Sequence, residues 1–277
     1  MNNSAKGFQL ISKGELAFLQ APLLEQSGIV DHAFSTRRGG CSTGALRSLN
    51  TAFHTGDTMA RVLENRRRLL EPFGYDPAAV VAGIQMHGTA IARVTAQERG
   101  RGALPGTFLA RCDALVTAAP GVVLTAYSAD CLLLFLLAPR ERVIALAHAG
   151  WRGTRGGMAR KVVGYLVKHF AVDPATILAA ISPGICGKCY RVGSEVAESF
   201  RASGWDGAPY LIKASPDGSF YLDLAEINWR QLRDAGLREE NIAGSSWCSS
   251  CRADLFYSYR RDGGVTGRML GFMAIKP

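Results

Sequence analysis

The chain has little of what would place it in several large classes. Its longest apolar run, LLLFLLA at 132–138, falls well short of the ~20 residues that cross a bilayer. The N-terminus MNNSAKGFQLISKG lacks the apolar centre of a signal peptide, so a cytoplasmic protein with no membrane association is expected. There is no internal repeat, low-complexity tract or Pro/Ser linker, and no helix-turn-helix, zinc-finger or RNA-binding signature. Nucleic acid is therefore not an expected partner. Seven cysteines are an odd number, and without a secretory leader they argue against a disulfide framework. Histidine is scarce, with five residues in 277.

What is present suits an ordinary globular protein. Hydrophobic residues make up 48% of the chain, and this length can bury a large core. The net charge of +9 is carried by scattered arginines, in RRRLL at 66–70, RGR at 99–101, WRGTR at 151–155 and YRR at 259–261. Most suit solvated faces. A minority would suit a pocket for an anion such as phosphate.

Periodicity outlines the elements. Residues 1–30 read as a strand and turn, and AFSTRRGGCSTG as a strand running into a Gly-rich loop. DTMARVLENRRRLLEPFG reads as an amphipathic helix with Val62, Leu63, Arg66, Leu69 and Leu70 at helical spacing, ended by Gly74. VVAGIQMHG reads as a short strand reaching His87. Apolar runs at 114–117, 122–128, 132–137 and 143–149 predict a sheet with a buried middle. Gly150, Gly153, Gly156 and Gly157 predict a flexible turn before the helix MARKVVGYLVKHF. ILAAISPG predicts a strand, 193–203 and 224–236 predict helices, and DLFYSYRRDGG and MLGFMAI predict the last sheet segments. Strands and helices mix without strict alternation, which favours an α+β fold over a doubly wound sheet.

Three residues in compact Gly- or Asp-marked segments draw attention: His87 in IQMHGTA, Cys131 in SADCLLL and His148 in AHAGWRGT. Two imidazoles and a thiolate suit zinc, and three protein ligands leave a fourth tetrahedral position open. On the residues alone, Cys131 as a small buried hydrophobe and histidines bonded to local backbone is an equal reading. Arg37 in TRRGG and Arg152 in GWRGT stand beside glycines that would let an anion approach the backbone; a solvent-facing loop arginine is the alternative for each. Arg260 and Arg268 are weaker candidates. Asn50 suits a turn cap. Asp130 is a candidate to orient a ligand histidine, Asp113 to cap a turn, and Trp151 either to stack on a base or to fill core.

The segments FSTRRGG…SLN at 34–50, QMHG, ADC, HAGWRG and FYSYRRD…TGR at 256–268 together resemble the laccase-domain, or polyphenol oxidase, family. Its members are now regarded as zinc-dependent purine nucleoside phosphorylases with adenosine deaminase activity. The resemblance spans roughly residues 30–275. It implies a single domain over 1–277 with mixed β-sheets sandwiched between α-helices. It implies zinc on His87, Cys131 and His148 as the catalytic centre, with copper the lesser choice. It implies purine nucleoside (adenosine, inosine, guanosine or methylthioadenosine) and phosphate as partners, with Arg37, Asn50 and Arg152 as substrate contacts. Two departures stand out. Leu133 occupies the proline position of the family's ADCLP, and Arg191 the acidic position of its YEVG.

Two other activities attach to the same resemblance. One is copper-dependent phenol oxidation, whose blue-copper centre takes two His and a Cys; the multinuclear form needs more histidine than this chain has, and no His-X-His pair occurs. The other is editing of a muramyl-nucleotide peptidoglycan precursor. Cys186-x-x-Cys189 and Cys248-x-x-Cys251 have the spacing of a four-cysteine zinc site. The family pattern includes only a cysteine matching Cys248, so free buried thiols are expected.

Overall fold

The computed structural model describes residues 7–205, 211–213 and 219–276, so the first part of the expected N-terminal strand and turn lies outside the described residues. In chain order the strands are β1 (Gln9–Lys13), β2 (Leu16–Gln20), β3 (Val30–Ser35), β4 (Val80–Ala82), β5 (Ile91–Arg93), β6 (Ala114–Thr117), β7 (Val123–Ser128), β8 (Leu132–Ala138), β9 (Val143–Ala149), β10 (Leu178–Ile181), β11 (Arg191–Val192), β12 (Leu211–Lys213), β13 (Phe220–Leu222), β14 (Ile242–Ala243) and β15 (Met269–Ile275). The α-helices are α1 (Pro22–Glu25), α2 (Met59–Leu70), α3 (Trp151–Arg155), α4 (Met158–Phe170), α5 (Ser194–Arg201) and α6 (Leu224–Asp234).

Two six-stranded sheets form, in the orders β1-β2-β3-β15-β7-β4 and β14-β10-β8-β9-β6-β5, with a small sheet β11-β13-β12 beside them. Most pairings are antiparallel, while β4–β7, β5–β6 and β10–β14 are parallel. Strand alternation separates three cores. On β8, Leu132, Leu134 and Leu136 pack toward α4 and α6, while Leu133, Phe135 and Leu137 enter the space between the sheets. On the other sheet, Leu270 and Phe272 of β15 pack outward with Leu69 and Leu70 of α2, while Met269 and Met273 face inward. The result is helix, sheet, sheet, helix: the expected α+β fold, with mixed sheets sandwiched between helices. Both faces of β8 are covered, which is why its sequence is apolar without alternation. At Gly271 a side chain would come within 2.5 Å of Leu133, so the glycine lets the two sheets meet.

Helix α2 starts at Thr58, whose side chain accepts the Arg61 N–H, and the chain turns out at Gly74 in the left-handed conformation. Arg66 sits on its apolar face, fully buried. Its guanidinium donates to the carbonyls of Thr51, Gly102 and Ala103 and lies over the rings of Phe53 and Tyr127. Carbonyl dipoles and ring faces thus take the place of a carboxylate. Among the described residues no helix is long and apolar enough to cross a membrane.

Three expectations need correction. The strand at VVAGIQMHG stops at Ala82, and His87 lies in the following loop. The glycine-rich stretch after His148 is not simply a turn, because Trp151–Arg155 forms α3. DLFYSYRRDGG is a run of turns rather than a strand. Its polar groups bond locally, with Arg261 donating to the carbonyls of Ser249 and Phe256. That arrangement satisfies the backbone without a strand partner.

Candidate metal centre

Two of the three candidate ligands come from loops where the chain leaves one sheet for the other, and the third from the end of a strand. His87 follows β4, Cys131 lies between β7 and β8, and His148 is the penultimate residue of β9. Their ligand atoms lie within 4.8 Å of one another. The two imidazole rings meet edge to face, with centroids 4.9 Å apart. His148 is buried, Cys131 half-buried and His87 exposed, so the centre opens to solvent on the His87 side.

Asp113, just before β6, organises this geometry. Its carboxylate accepts the backbone N–H groups of Met86, His87 and Gly88 at 3.2, 2.9 and 2.8 Å. It also faces His148 Nδ1 at 2.9 Å, while its carbonyl accepts the His148 N–H. Three convergent N–H donors hold His87 in the left-handed region, at φ 58°, a conformation costly for a non-glycine residue. The Nδ1 contact leaves Nε2 as the His148 nitrogen available to a cation. Burial pushes the Asp113 carboxyl up, but hydrogen bonds from His148 and the loop N–H groups outweigh it and hold it below the usual range. Gln85 completes the loop by exchanging two hydrogen bonds with the backbone of Tyr127.

Burial also pushes the Cys131 thiol up, yet the charge and hydrogen bond of His148, with help from His87, bring it down to about 6. For His148 burial pulls downward, and the Cys131 thiolate and the Asp113 hydrogen bond raise it to about 9. Sulfur and imidazole therefore hold a proton between them where a cation would take its place. Gly150 supplies the room. A side chain there would lie 2.9 Å from Cys131 Sγ and 3.1 Å from His87. The donor set and this clearance fit a thiophilic divalent ion with an open position.

Asp130 does not orient a histidine, as the sequence suggested. Its carboxylate accepts Ser249 Oγ at 2.6 Å and the Arg260 N–H at 2.8 Å, and its carbonyl accepts the Ile185 N–H. It pins the Cys131 turn, where its own φ is 92°. The departure at Leu133 is accommodated too. Its N–H donates to Ser182 Oγ at 2.8 Å, a bond proline would forgo, and its side chain is fully buried. Arg191 is exposed and donates to Ser219 Oγ.

The substrate candidates divide. Tyr190 feels the charges of Cys131, Arg260, Asp130 and Arg152, and Arg268 feels those of Cys131 and Asp130. Arg152, Arg260 and Arg268 therefore share the neighbourhood of the centre. Arg37 donates to the carbonyls of Arg47 and Ala253, covers the Tyr257 ring, and lines a cleft of 640 Å³ that none of the three ligands lines. Asn50 is fully buried. Its amide donates to Ala52, Thr55 and Asp57 and accepts the Arg268 N–H, so it anchors the Arg268 segment. Trp151 is part-buried against the core beneath Arg152, whose guanidinium lies 4.3 Å from the ring centroid. Asp113, Gln85 and Gly150 were not assigned these roles from sequence. Their only sign there is position, beside an apolar strand or within a ligand motif.

The remaining histidines are spent elsewhere. His32 accepts the Ala21 N–H in the core, and His169 packs on Tyr165. His54 is not in either of the two groups of potential metal ligands found among the described residues. The described histidines thus assemble no multinuclear copper cluster.

A fold of two sheets with this centre between them defines a class that comparison with known proteins makes explicit. Residues 31–276 match the family described as multi-copper polyphenol oxidoreductase laccase, and the chain belongs to it. It is 40% identical over 240 residues to purine nucleoside phosphorylase YlmD of Geobacillus stearothermophilus, covering 86% of this chain and 88% of that one. The crystal structure of that YlmD superposes with a TM-score of 0.91 over 98% of this chain and 99% of the other. A purine nucleoside phosphorylase of Deinococcus radiodurans is 41% identical, covering 92% and 91% of the two chains. A protein of an unknown prokaryotic organism named adenosine deaminase RL5 is 34% identical, covering 85% and 90%.

Proposed function

We propose that the protein is a zinc-dependent purine nucleoside phosphorylase that also deaminates adenosine at the same centre. The observation that carries this reading is the convergence of His87, Cys131 and His148 around a gap that Gly150 keeps clear. Zinc bound by these three residues would supply a Lewis acid beside the substrate. Arg152, with Arg260 and Arg268, provides the positive field for phosphate. Phosphate held there would be aligned on the anomeric carbon of the nucleoside. Tyr190 is pushed up to about 12, mainly by burial, so it stays protonated at neutral pH and serves as a hydrogen-bond donor to the departing purine. Met86, about half exposed beside His87, offers an apolar lip for a flat base. Both oxygens of Asp130 are engaged, so it holds the Cys131 turn rather than carrying a proton. Adenosine, inosine, guanosine and methylthioadenosine are the proposed substrates, and Arg37 and Asn50 are proposed to act through the loops they hold.

Incubating the zinc-loaded protein with adenosine, with and without phosphate, tests this by chromatography. Adenine and ribose 1-phosphate appearing only with phosphate indicate phosphorolysis, and inosine indicates deamination. Adenosine recovered unchanged in both conditions would reject the proposal.

A further inference from the structure

Outside this centre, Cys186, Cys189, Cys248 and Cys251 converge, and their sulfurs lie within 4.8 Å of one another. The spacing allowed a four-cysteine site, although free buried thiols were the expectation; the fold makes them one cluster, with only Cys248 of the four buried. Two short turns face each other, held together by the bridge between Gly184 and Cys248 and by the Ser249 N–H to the Gly184 carbonyl at 2.9 Å. The first turn closes on itself, with the N–H groups of Cys189 and Tyr190 donating to the Cys186 carbonyl. Cys189 Sγ and Cys251 Sγ are 3.3 Å apart. Backbone N–H groups point at the sulfurs: Cys186 N–H to Cys248 Sγ at 3.3 Å, Cys251 N–H to the same sulfur, and Lys188 N–H to Cys186 Sγ.

The geometry points to a structural zinc ion held by Cys186, Cys189, Cys248 and Cys251. Two Cys-x-x-Cys turns are the spacing that closed zinc sites use, and four protein ligands leave no position for water. A tetrahedron with Zn–S of ~2.3 Å has sulfurs about 3.8 Å apart, close to what the turns already present. N–H donors aimed at sulfur offset the charge of thiolates. The described cysteines form no disulfide. The site staples the chain under the other centre. Ile185, next to Cys186, donates to the Asp130 carbonyl, and Ser249, next to Cys248, donates to the Asp130 carboxylate. Each turn therefore braces the residue that precedes Cys131. This assignment does not depend on the proposed activity.

Metal analysis, native mass spectrometry and zinc-edge X-ray absorption on the full chain, purified with a reductant, test it. The wild type should carry two zinc ions and His148→Ala one, the remaining ion surrounded by sulfur alone at about 2.3 Å. The Cys186→Ser/Cys251→Ser double variant should lose that ion. If this variant does not fold, the His148→Ala measurement decides alone. A wild type with a single all-sulfur zinc would support this site and remove the metal from the proposed catalytic one. A His148→Ala chain without zinc, with iron in its place, with nitrogen in the zinc shell, or with the mass of a disulfide-bonded form would overturn it.

Discussion

Asp113 is the residue on which the centre turns, because one carboxylate serves two candidate ligands. It bends the loop bearing His87 and fixes the ring of His148. Asp113→Asn keeps the size but replaces acceptors with an NH₂ that faces N–H donors. Zinc affinity, measured by competition with a chromophoric chelator, should fall roughly 10- to 100-fold. Unchanged affinity would mean that the two histidines hold their places without it. The arginines make the second test at this scale. Arg152→Ala should raise the Michaelis constant for phosphate roughly 10- to 100-fold, on the order of the ~1.5–3 kcal/mol of one charged hydrogen bond, with zinc content preserved. Arg37→Ala should leave that constant near wild type, because its guanidinium is spent on the carbonyls of Arg47 and Ala253. The reverse ranking would move the anion site to the Arg37 cleft.

Among the elements, those with strong periodicity were legible in the sequence. The strand at 114–117, the helix at 158–170 and the strand MLGFMAI have the bounds read from it, because each buries a continuous apolar stripe or run. The segment 254–264 was not legible. Its aromatic residues suggest a strand, but Asp262 bonds Arg261, the Thr266 hydroxyl and the Ser258 N–H and folds it into turns. The triad followed from motif resemblance, whereas the duty of Asp113 rather than Asp130 depended on which carboxylate the sheets bring beneath His148, a long-range fact no local pattern encodes. Burial pushes the Asp262 carboxyl up, yet the Arg261 and Thr266 hydrogen bonds hold it below the usual range. A depressed folded value adds stability above the unfolded carboxylate pKa of about 3.9, and that stability is lost as pH falls through the folded value. In urea titrations from neutral to acid pH, the wild type should be more stable than Asp262→Asn near neutrality, and the gap should close below about pH 4. Parallel curves would show that this carboxylate contributes nothing through ionisation.

At the scale of the whole molecule, His87 and Cys131 sit on loops that pass from one sheet to the other, His148 sits on a strand of the second sheet, and the inter-sheet core of Leu133, Phe135, Leu146 and Met273 lies behind these candidate ligands. Gly271 sets how closely the sheets approach. The centre is therefore a gauge of that approach. A change of one methylene group deep between the sheets, far from any donor atom, alters the spacing of donors carried by both. Close-packed interiors pass such displacements on rather than absorb them. On the proposed reading, affinity for the ion is then set by the tightness of the sandwich as well as by the donor atoms themselves.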